Sequence, residues 1–193
     1  MKILTKDEYE LKKERVIYDI KEGAIFIYPT DTIYGIGCNA LDSGAVNKIR
    51  QLKNKSKAPF SVIAPSKEWI LENCIINENA EEWIDKLPGP YTLIIPLKNK
   101  SCVAEEVLLG LDSIGIRIPD CWTSKIAKDL EMPIITTSVN KTGQAYMTSI
   151  EDLDADIKNN IDMIFDDGEK QGSPSTMIHL EKEELEIKER TKK

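Results

Sequence analysis

Short apolar runs recur along the chain, and amphipathic stretches of helical period separate the early ones. Three of these runs are "AIFIY" at 24–28, "PFSVIA" at 59–64 and "YTLIIPL" at 91–97. The later runs, beginning with "SIGIRIP" at 113–119, follow one another more closely. Strands that alternate with helices are typical of α/β proteins, whereas closely spaced strands are often antiparallel neighbours. The chain is therefore predicted to form an α/β fold: a twisted mixed parallel and antiparallel sheet with flanking helices.

Capping and charge patterns indicate where ordered segments begin and end. Thr5 and Glu8 have the T-x-x-E spacing of a capping box at the start of a helix. Gly23 is a natural residue to follow the end of that helix. The segment from Glu181 onward is charge-dense enough to be loosely attached to the rest of the protein.

The composition is that of an ordinary globular protein, with 41% hydrophobic and 31% charged residues. The length of 193 residues fits one domain spanning 1–193. The longest apolar runs are strand-sized and the N terminus lacks the apolar region of a signal peptide, so we expect no membrane segment and a cytoplasmic location. Four widely spaced cysteines favour buried thiols over a zinc site or a disulfide framework: Cys38, Cys74, Cys102 and Cys121.

A local basic segment contrasts with the acidic net charge of −7. The stretch "KIRQLKNKSK" at 48–57 holds five basic residues and no acidic one. Such a patch suits a small anionic ligand, because the nearby field matters more than the total charge. The alternative is a solvated helix end whose lysines complement the helix dipole. The net acidity and the lack of aromatic residues in this stretch count against RNA as the main ligand.

The familiar signatures of catalysis are missing from the sequence. The single histidine, His179, lies in a strand pattern, and there is no Walker loop, G-x-G-x-x-G run or H-E-x-x-H helix. An enzyme of this kind would act by holding reactants and stabilising charge. Hydroxyl, amide and basic residues instead follow several predicted strands, where α/β proteins commonly bind ligands. Each of these groups alone is also explained by a turn, a helix cap or an ion pair.

Five of these segments, in order, resemble motifs of the YrdC family of threonylcarbamoyl-AMP synthases. The similarity extends over about residues 10 to 190, and its motifs are "YPTDTIYGIGCNA", "LPGPYTLII", "IGIRIP", "TTSVNKTG" and "GSPSTMI". The resemblance implies a YrdC-like fold, in which a twisted mixed sheet surrounds one deep electropositive cavity. It also implies a nucleotidyltransferase that joins L-threonine, bicarbonate and ATP into threonylcarbamoyl-AMP and releases pyrophosphate. Mg²⁺ would screen the pyrophosphate, and no resident metal site is implied.

The same resemblance implies a role in N6-threonylcarbamoyladenosine modification of tRNA, together with partner proteins of that modification. It assigns roles to nine residues by their positions in the motifs. Four basic and polar residues are assigned to catalysis and to the ATP phosphates: Lys53, Lys55, Ser138 and Asn140. Two more are assigned to ATP: Ser113 and Arg190. Three are assigned to L-threonine, with the arginine on its carboxylate: Thr32, Arg117 and Ser175.

Three features depart from the family pattern. Lys55 replaces the arginine of a K-x-R pair, which loses a planar bidentate grip on phosphate. The segment after it is one residue short, and Tyr146 stands where the family often has a small hydroxyl residue. The run from 48 to 64 also resembles the paralogous YciO branch. The alternatives are therefore a YrdC- or YciO-like protein that binds nucleotide or RNA, double-stranded RNA included, without synthase activity, and a relative that activates another amine or carbamoyl compound. Thr32 and Arg117 favour threonine over the second alternative.

Overall fold

The structure, a computed structural model, describes residues 1–54, 58–141 and 143–190. Within these ranges the chain forms ten β-strands, seven α-helices and two short 3-10 helices. The strands are β1 (Lys2–Leu4), β2 (Phe26–Pro29), β3 (Tyr34–Gly37), β4 (Ser61–Ile63), β5 (Tyr91–Pro96), β6 (Ser113–Arg117), β7 (Ile134–Ser138), β8 (Met163–Phe165), β9 (Thr176–His179) and β10 (Glu186–Lys188). The helices are α1 (Lys6–Lys21), α2 (Ser43–Leu52), α3 (Lys67–Asn73), α4 (Glu78–Asp85), α5 (Glu105–Leu108), α6 (Ser124–Leu130) and α7 (Ala155–Lys158).

All ten strands belong to one sheet in the order β1-β8-β2-β3-β7-β4-β6-β5-β9-β10. Four neighbouring pairs are parallel: β1 with β8, β8 with β2, β4 with β6, and β5 with β9. The other five pairs are antiparallel. The predicted mixed sheet is therefore confirmed. A single continuous sheet is also what one domain over 1–193 would form, and that boundary stays a prediction.

The first helix begins as its sequence predicts. Thr5 Oγ1 accepts a hydrogen bond from the Glu8 backbone at 3.3 Å, and Glu8 Oε2 accepts one from the Thr5 backbone at 2.9 Å, which completes the capping box. Gly23 follows the helix with a φ of +89°, a conformation that favours glycine.

At the next helix, Asp42 caps α2 by accepting from the Ala45 backbone at 3.0 Å. Lys53 is the C-cap residue, directly after the end of α2.

Two apolar cores cover the faces of the sheet. Along β2 and the residue before it, Phe26 and Tyr28 pack in one core, whereas Ile25 and Ile27 pack in the other. This alternation follows from the two-residue repeat of a strand. Helices α1 and α6 contribute to the first core, and α2 to α5 contribute to the second. The strand ends are thus held between two packed layers, where polar side chains can be fixed in place.

The expectation that the segment from Glu181 is loosely attached is wrong for residues 181–190, and the last three residues of that segment lie outside the described residues. Strand β10 pairs with β9, with Glu186 opposite His179 and Ile187 opposite Ile178. The side chains of β10 are exposed, so their charges remain in water while the backbone groups make the sheet hydrogen bonds. A charge-dense sequence is therefore compatible with an edge strand.

The cysteine prediction is confirmed at three positions and wrong at one. All four thiols are free, and Cys38, Cys74 and Cys102 are buried. Cys121 is only half-buried, because it lies in the loop after β6, where its sulfur is 3.1 Å from Thr123 Oγ1. Among the described residues, no helix combines the length and the apolar character needed to cross a membrane.

Candidate active site

A polar cavity of about 210 Å³ lies among the ends of β2, β3, β6 and β7, next to β5 and the segment before β9. Two arginines and several hydroxyl groups line it, and Ile33, Tyr34, Pro59 and Pro174 supply apolar walls. Its aliphatic hydroxyl residues are Thr30, Thr32, Ser61, Thr92, Thr136, Thr137, Ser138 and Ser175. This cavity can hold a small polar ligand that carries negative charge.

Hydrogen bonds in the turn after β2 decide whether the Thr32 hydroxyl can donate a hydrogen bond to a ligand or only accept one. Thr30 Oγ1 accepts from the backbone of Thr32 at 3.1 Å and of Ile33 at 3.2 Å, and it donates to the Ile33 carbonyl at 2.7 Å. A hydroxyl has one hydrogen, so the 2.8 Å contact between Thr30 and Thr32 uses the hydrogen of Thr32. Thr32 Oγ1 can therefore offer a ligand only an acceptor.

Arg117 is the last residue of β6 and lines the cavity. Its guanidinium forms a buried ion pair with Asp31. Its Nη2 donates to Asp31 Oδ1 at 2.7 Å and to Thr32 Oγ1 at 3.3 Å. The side chains of Arg117 and Asp31 are only 7% and 10% exposed. Arg117 Nε is also buried and has no hydrogen-bond partner among the described residues. A buried donor without a partner costs about 1–3 kcal/mol, and a ligand carboxylate that accepts from it would remove that cost.

A second arginine reaches the cavity from the end of the chain. Arg190 donates from Nε to the Ser175 carbonyl at 2.8 Å and from Nη2 to Ser175 Oγ at 2.7 Å. Ser175 Oγ also lies 2.6 Å from Thr92 Oγ1 on β5. Burial and, to a smaller extent, the positive charge of Arg117 lower the pKa of Arg190. Two arginines close enough to repel each other favour an anion between them.

Lys53 stabilises a loop beside the cavity without lining the cavity itself. Its side chain is nearly fully buried, and Nζ donates to the Asn140 carbonyl at 2.8 Å, to Asn140 Oδ1 at 3.0 Å and to the Ser138 carbonyl. Ser138 Oγ donates to the same Oδ1 at 2.6 Å. Lys53 thus holds the loop that presents Ser138 to the cavity.

The structure brings most of the predicted site residues together. Five of them line the cavity: Thr32, Arg117, Ser138, Ser175 and Arg190. Lys53 and Asn140 contact Ser138 but are not among the lining residues. Ser113 is not a lining residue either, because it starts β6 opposite Pro96, about 13 Å of extended strand before Arg117. Lys55 lies outside the described residues.

Several residues of the site were not assigned from the sequence. Thr136 faces the cavity two positions before Ser138, and the two-residue repeat of β7 could have indicated it. Thr92 is a polar residue in an otherwise apolar strand. Asp31 lies within the motif "YPTDTIYGIGCNA", but no pattern in the chain shows that its partner is Arg117. Among the described residues, no group of three or more histidine, cysteine or carboxylate side chains could hold a metal ion.

Known proteins are similar to this chain in sequence and in architecture. A relative from Methanocaldococcus jannaschii, provisionally named a threonylcarbamoyl-AMP synthase, is 36% identical over 191 residues, which cover 96% of this chain and 89% of that protein. A Pyrococcus abyssi protein named threonylcarbamoyl-AMP synthase is 35% identical over 167 residues. That match covers 83% of this chain and 48% of the P. abyssi protein, so this chain spans about half of its length.

Solved structures agree with these relatives. The structure of P. abyssi Sua5 complexed with L-threonine has a TM-score of 0.84 at 31% identity, over 96% of this chain and 56% of that chain. Escherichia coli YciO has a TM-score of 0.85 at 19% identity, over 98% of this chain and 94% of that chain, and so shares the fold. The Sua5/YciO/YrdC family model, described as telomere recombination, matches residues 19–190. The resemblance found in the sequence is thereby confirmed, and the chain belongs to the Sua5/YciO/YrdC family.

Proposed function

We propose that this protein is an L-threonylcarbamoyladenylate synthase, a nucleotidyltransferase that makes threonylcarbamoyl-AMP and pyrophosphate from L-threonine, bicarbonate and ATP. Relatives that carry this name support the synthase over a protein that only binds nucleotide or RNA. The observation that carries the proposal is the convergence of Arg117, Thr32 and Arg190 on one cavity of about 210 Å³. That arrangement pairs a place for a small zwitterion with a place for an anion.

The threonine half of the cavity matches the charges of an amino acid. Arg117 offers a buried Nε donor, which suits the α-carboxylate. Thr32 offers only an acceptor, which suits the N–H of the α-amino group. Ser175 stands on the neighbouring wall, where it can meet the remaining polar groups of threonine. This complementarity supports the assignment of the three residues to L-threonine.

We assign the ATP phosphates to the part of the cavity that Arg190 and Ser138 line, the ATP half. Ser138 would turn its hydroxyl hydrogen from Asn140 towards a phosphate oxygen when ATP binds. Asn140 Oδ1 would keep its hydrogen bond from Lys53, so this turn would leave no acceptor unpaired. Lys53 and Arg190 supply positive charge on this side, and we extend the same role to Lys55. The cavity lining gives no support to an ATP contact by Ser113.

The chemistry requires no protein nucleophile. The amine of threonine attacks the carbon of bicarbonate, and loss of water leaves a carbamate on the nitrogen. An oxygen of that carbamate then attacks the α-phosphorus of ATP in line with the departing pyrophosphate. The protein orients the two reactants and neutralises the negative charge that develops, with Arg190 and the Lys53-supported loop at the phosphates.

Mg²⁺ would enter as part of the MgATP substrate. No carboxylate lines the described part of the cavity, and both oxygens of the adjacent Asp31 already accept hydrogen bonds. Mg²⁺ in proteins is usually held by one or two carboxylates, phosphate oxygens and water. The described residues therefore do not form a resident Mg²⁺ site, and the phosphates and water would complete the coordination of the ion.

The product would supply the N6-threonylcarbamoyl group for adenosine in tRNA. Transfer to tRNA needs partner proteins, because the cavity is sized for small molecules rather than for a folded RNA. We also propose that the protein binds tRNA or double-stranded RNA directly and that it lies in the cytoplasm.

The test is to combine the purified protein with ATP, Mg²⁺, bicarbonate and L-threonine and to measure pyrophosphate and adenylate products. We expect pyrophosphate release that requires threonine and bicarbonate together, and none when glycine replaces threonine. Tight ATP binding without any threonine-dependent release would reject the synthase and favour the nucleotide-binding alternative. Release that depends on another amine would favour a relative with a different substrate.

A further inference from the structure

Asp31 connects Arg117 and Thr32, two of the residues assigned to the substrate L-threonine. Its Oδ1 accepts from Arg117 Nη2 at 2.7 Å, and its Oδ2 accepts from the backbone N–H of Asp120 at 3.0 Å. The same Nη2 donates to Thr32 Oγ1 at 3.3 Å, and Thr32 is the next residue in the chain. Asp31 therefore joins the turn after β2 to the loop after β6.

We infer that Asp31 is a positioning residue for the amino-acid substrate, which sets the orientation of Arg117 and its distance from Thr32. The inference rests on the proposed function, because it concerns how the threonine half of the cavity is held. Nothing in the roles derived above requires Asp31, since it neither lines the described cavity nor contacts an ATP-side residue.

A carboxylate beside Arg117 has two possible effects on a substrate carboxylate. It either competes for the guanidinium, or it holds the guanidinium so that another edge meets the ligand. Asp31 engages Nη2 alone, and Nε remains a buried donor without a partner in the described structure. Arg117 and Thr32 line the cavity whereas Asp31 does not. Asp31 thus supports Arg117 from outside the cavity and leaves the Nε edge to the substrate.

The geometry also explains why an acid, and not an amide, is needed. Both oxygens of Asp31 accept, one from a guanidinium and one from a backbone N–H. Asparagine has one acceptor oxygen and one NH₂ donor, so in either orientation it would place a donor against a donor. It would also leave the buried charge of Arg117 without its partner. Asp31→Asn is therefore a substitution of equal size that removes the function assigned to this residue.

The experiment measures threonine and ATP kinetics of Asp31→Asn beside a matched control, Asp129→Asn. Asp129 forms an ion pair with Lys13 that has the same 2.7 Å length, and its side chain is similarly buried at 11% exposure. It lies on α6 and contacts α1 instead of the cavity. We expect Asp31→Asn to raise the KM for threonine about tenfold, the usual effect of losing a hydrogen bond to a charged group, with the KM for ATP changed less than about twofold. The control should leave both KM values unchanged.

Asp31→Glu provides a second variant that keeps both acceptor oxygens and the charge but moves them by one methylene. Its threonine KM should rise by less than that of Asp31→Asn, again without a change for ATP. If only the glutamate variant folds, a selective rise in its threonine KM still supports the inference.

Three outcomes would overturn the positioning role. A lower threonine KM in Asp31→Asn would show that Asp31 competes with the substrate. An equal rise in both KM values, or an unchanged threonine KM, would show that Asp31 has only a structural role. Direct titration of L-threonine by calorimetry separates these outcomes from failure of the proposed function: a wild-type protein that binds threonine without turnover rejects the synthase, and the affinity of Asp31→Asn for threonine then still decides the role of Asp31.

Discussion

Lys53 donates hydrogen bonds to both oxygens of Asn140, at 2.8 Å to the carbonyl and at 3.0 Å to Oδ1. The two residues are 87 positions apart, so this contact connects the end of α2 to the loop after β7. A buried ammonium that donates three hydrogen bonds to one loop stabilises the conformation of that loop. Because Ser138 lines the cavity and accepts from this ammonium, we expect the positive charge of Lys53 to act on the ATP phosphates as well.

Lys53→Met should impair both turnover and stability. Methionine keeps the apolar stem but leaves three acceptors of the loop without their charged donor. We expect the free energy of unfolding to fall by about 2 kcal/mol, the scale of hydrogen bonds to charged groups, and pyrophosphate release to fall at least about a hundredfold. Urea unfolding and a turnover assay measure the two effects. Lys53→Arg retains the charge and should lose less in both; a Lys53→Met protein with wild-type turnover would contradict the role of this loop.

Gly172→Ala should weaken threonine binding through a steric effect on Thr32. A Cβ at Gly172 would lie 2.2 Å from the Thr32 carbonyl oxygen and 2.9 Å from its Cα, so the segment before β9 would have to move away. Overpacking of this kind costs about 1–3 kcal/mol, which predicts a threonine KM raised about tenfold. Steady-state kinetics with varied threonine test this.

Gly44→Ala is the matched control for that substitution. Gly44 lies in the first turn of α2, where a Cβ would meet only Asp42 Oδ1 at 3.2 Å. Alanine is favoured over glycine in helices, so this variant should keep its threonine KM and its stability. Equal kinetics in the two variants would show that the segment at Gly172 does not act on Thr32.

Arg190→Gln should lower the efficiency with which ATP is used. The change removes the charge beside the phosphate half and weakens the two hydrogen bonds to Ser175. We expect kcat/KM for ATP to fall about tenfold or more, because a charged donor that lines the cavity is lost. Lys188→Gln removes a charge from the exposed strand β10 and should have no such effect. If both substitutions reduce kcat/KM alike, the loss reflects overall charge and not the position of Arg190.

Thiol labelling should distinguish Cys121 from the buried cysteines. Burial raises the pKa of Cys74 to about 12 and that of Cys102 to about 11, so neither forms appreciable thiolate at pH 8. Burial raises the pKa of Cys38 further still. Iodoacetamide at pH 8 should therefore label the half-buried Cys121 first, as mass spectrometry of peptides can show.

Cys102 and Cys74 should both react slowly as the pH is raised, because burial raises their pKa values to about 11 and about 12. Cys121→Ser should abolish the fast phase while leaving the slow phases intact. Rapid labelling of two or more sites in the folded protein at pH 8 would contradict the burial of these thiols.

Local patterns were sufficient wherever short-range physics decides the outcome. The capping box at Thr5, the glycine after α1 and the apolar runs of the strands depend on residues within a few positions of one another. The mixed sheet followed from the spacing of those runs. The turn after β2 is held by equally local contacts, because the Thr30 hydroxyl bonds with Thr32 and Ile33, two and three positions further along the chain.

Contacts between distant strands needed the folded structure. Arg117 and Asp31 are 86 positions apart, and Thr92 and Ser175 are 83 apart, so no local pattern links either pair. Register decides which side chains meet: Arg117 lies at the cavity end of β6, whereas Ser113 lies at the other end of the same strand. The attachment of β10, and with it the arrival of Arg190 beside Ser175, is likewise a matter of backbone pairing that charge density does not reveal. The sequence determined which chemical groups this protein carries and which local elements hold them, while the packing of the sheet decided which groups share one cavity, because distances between remote segments exist only after the strands have paired.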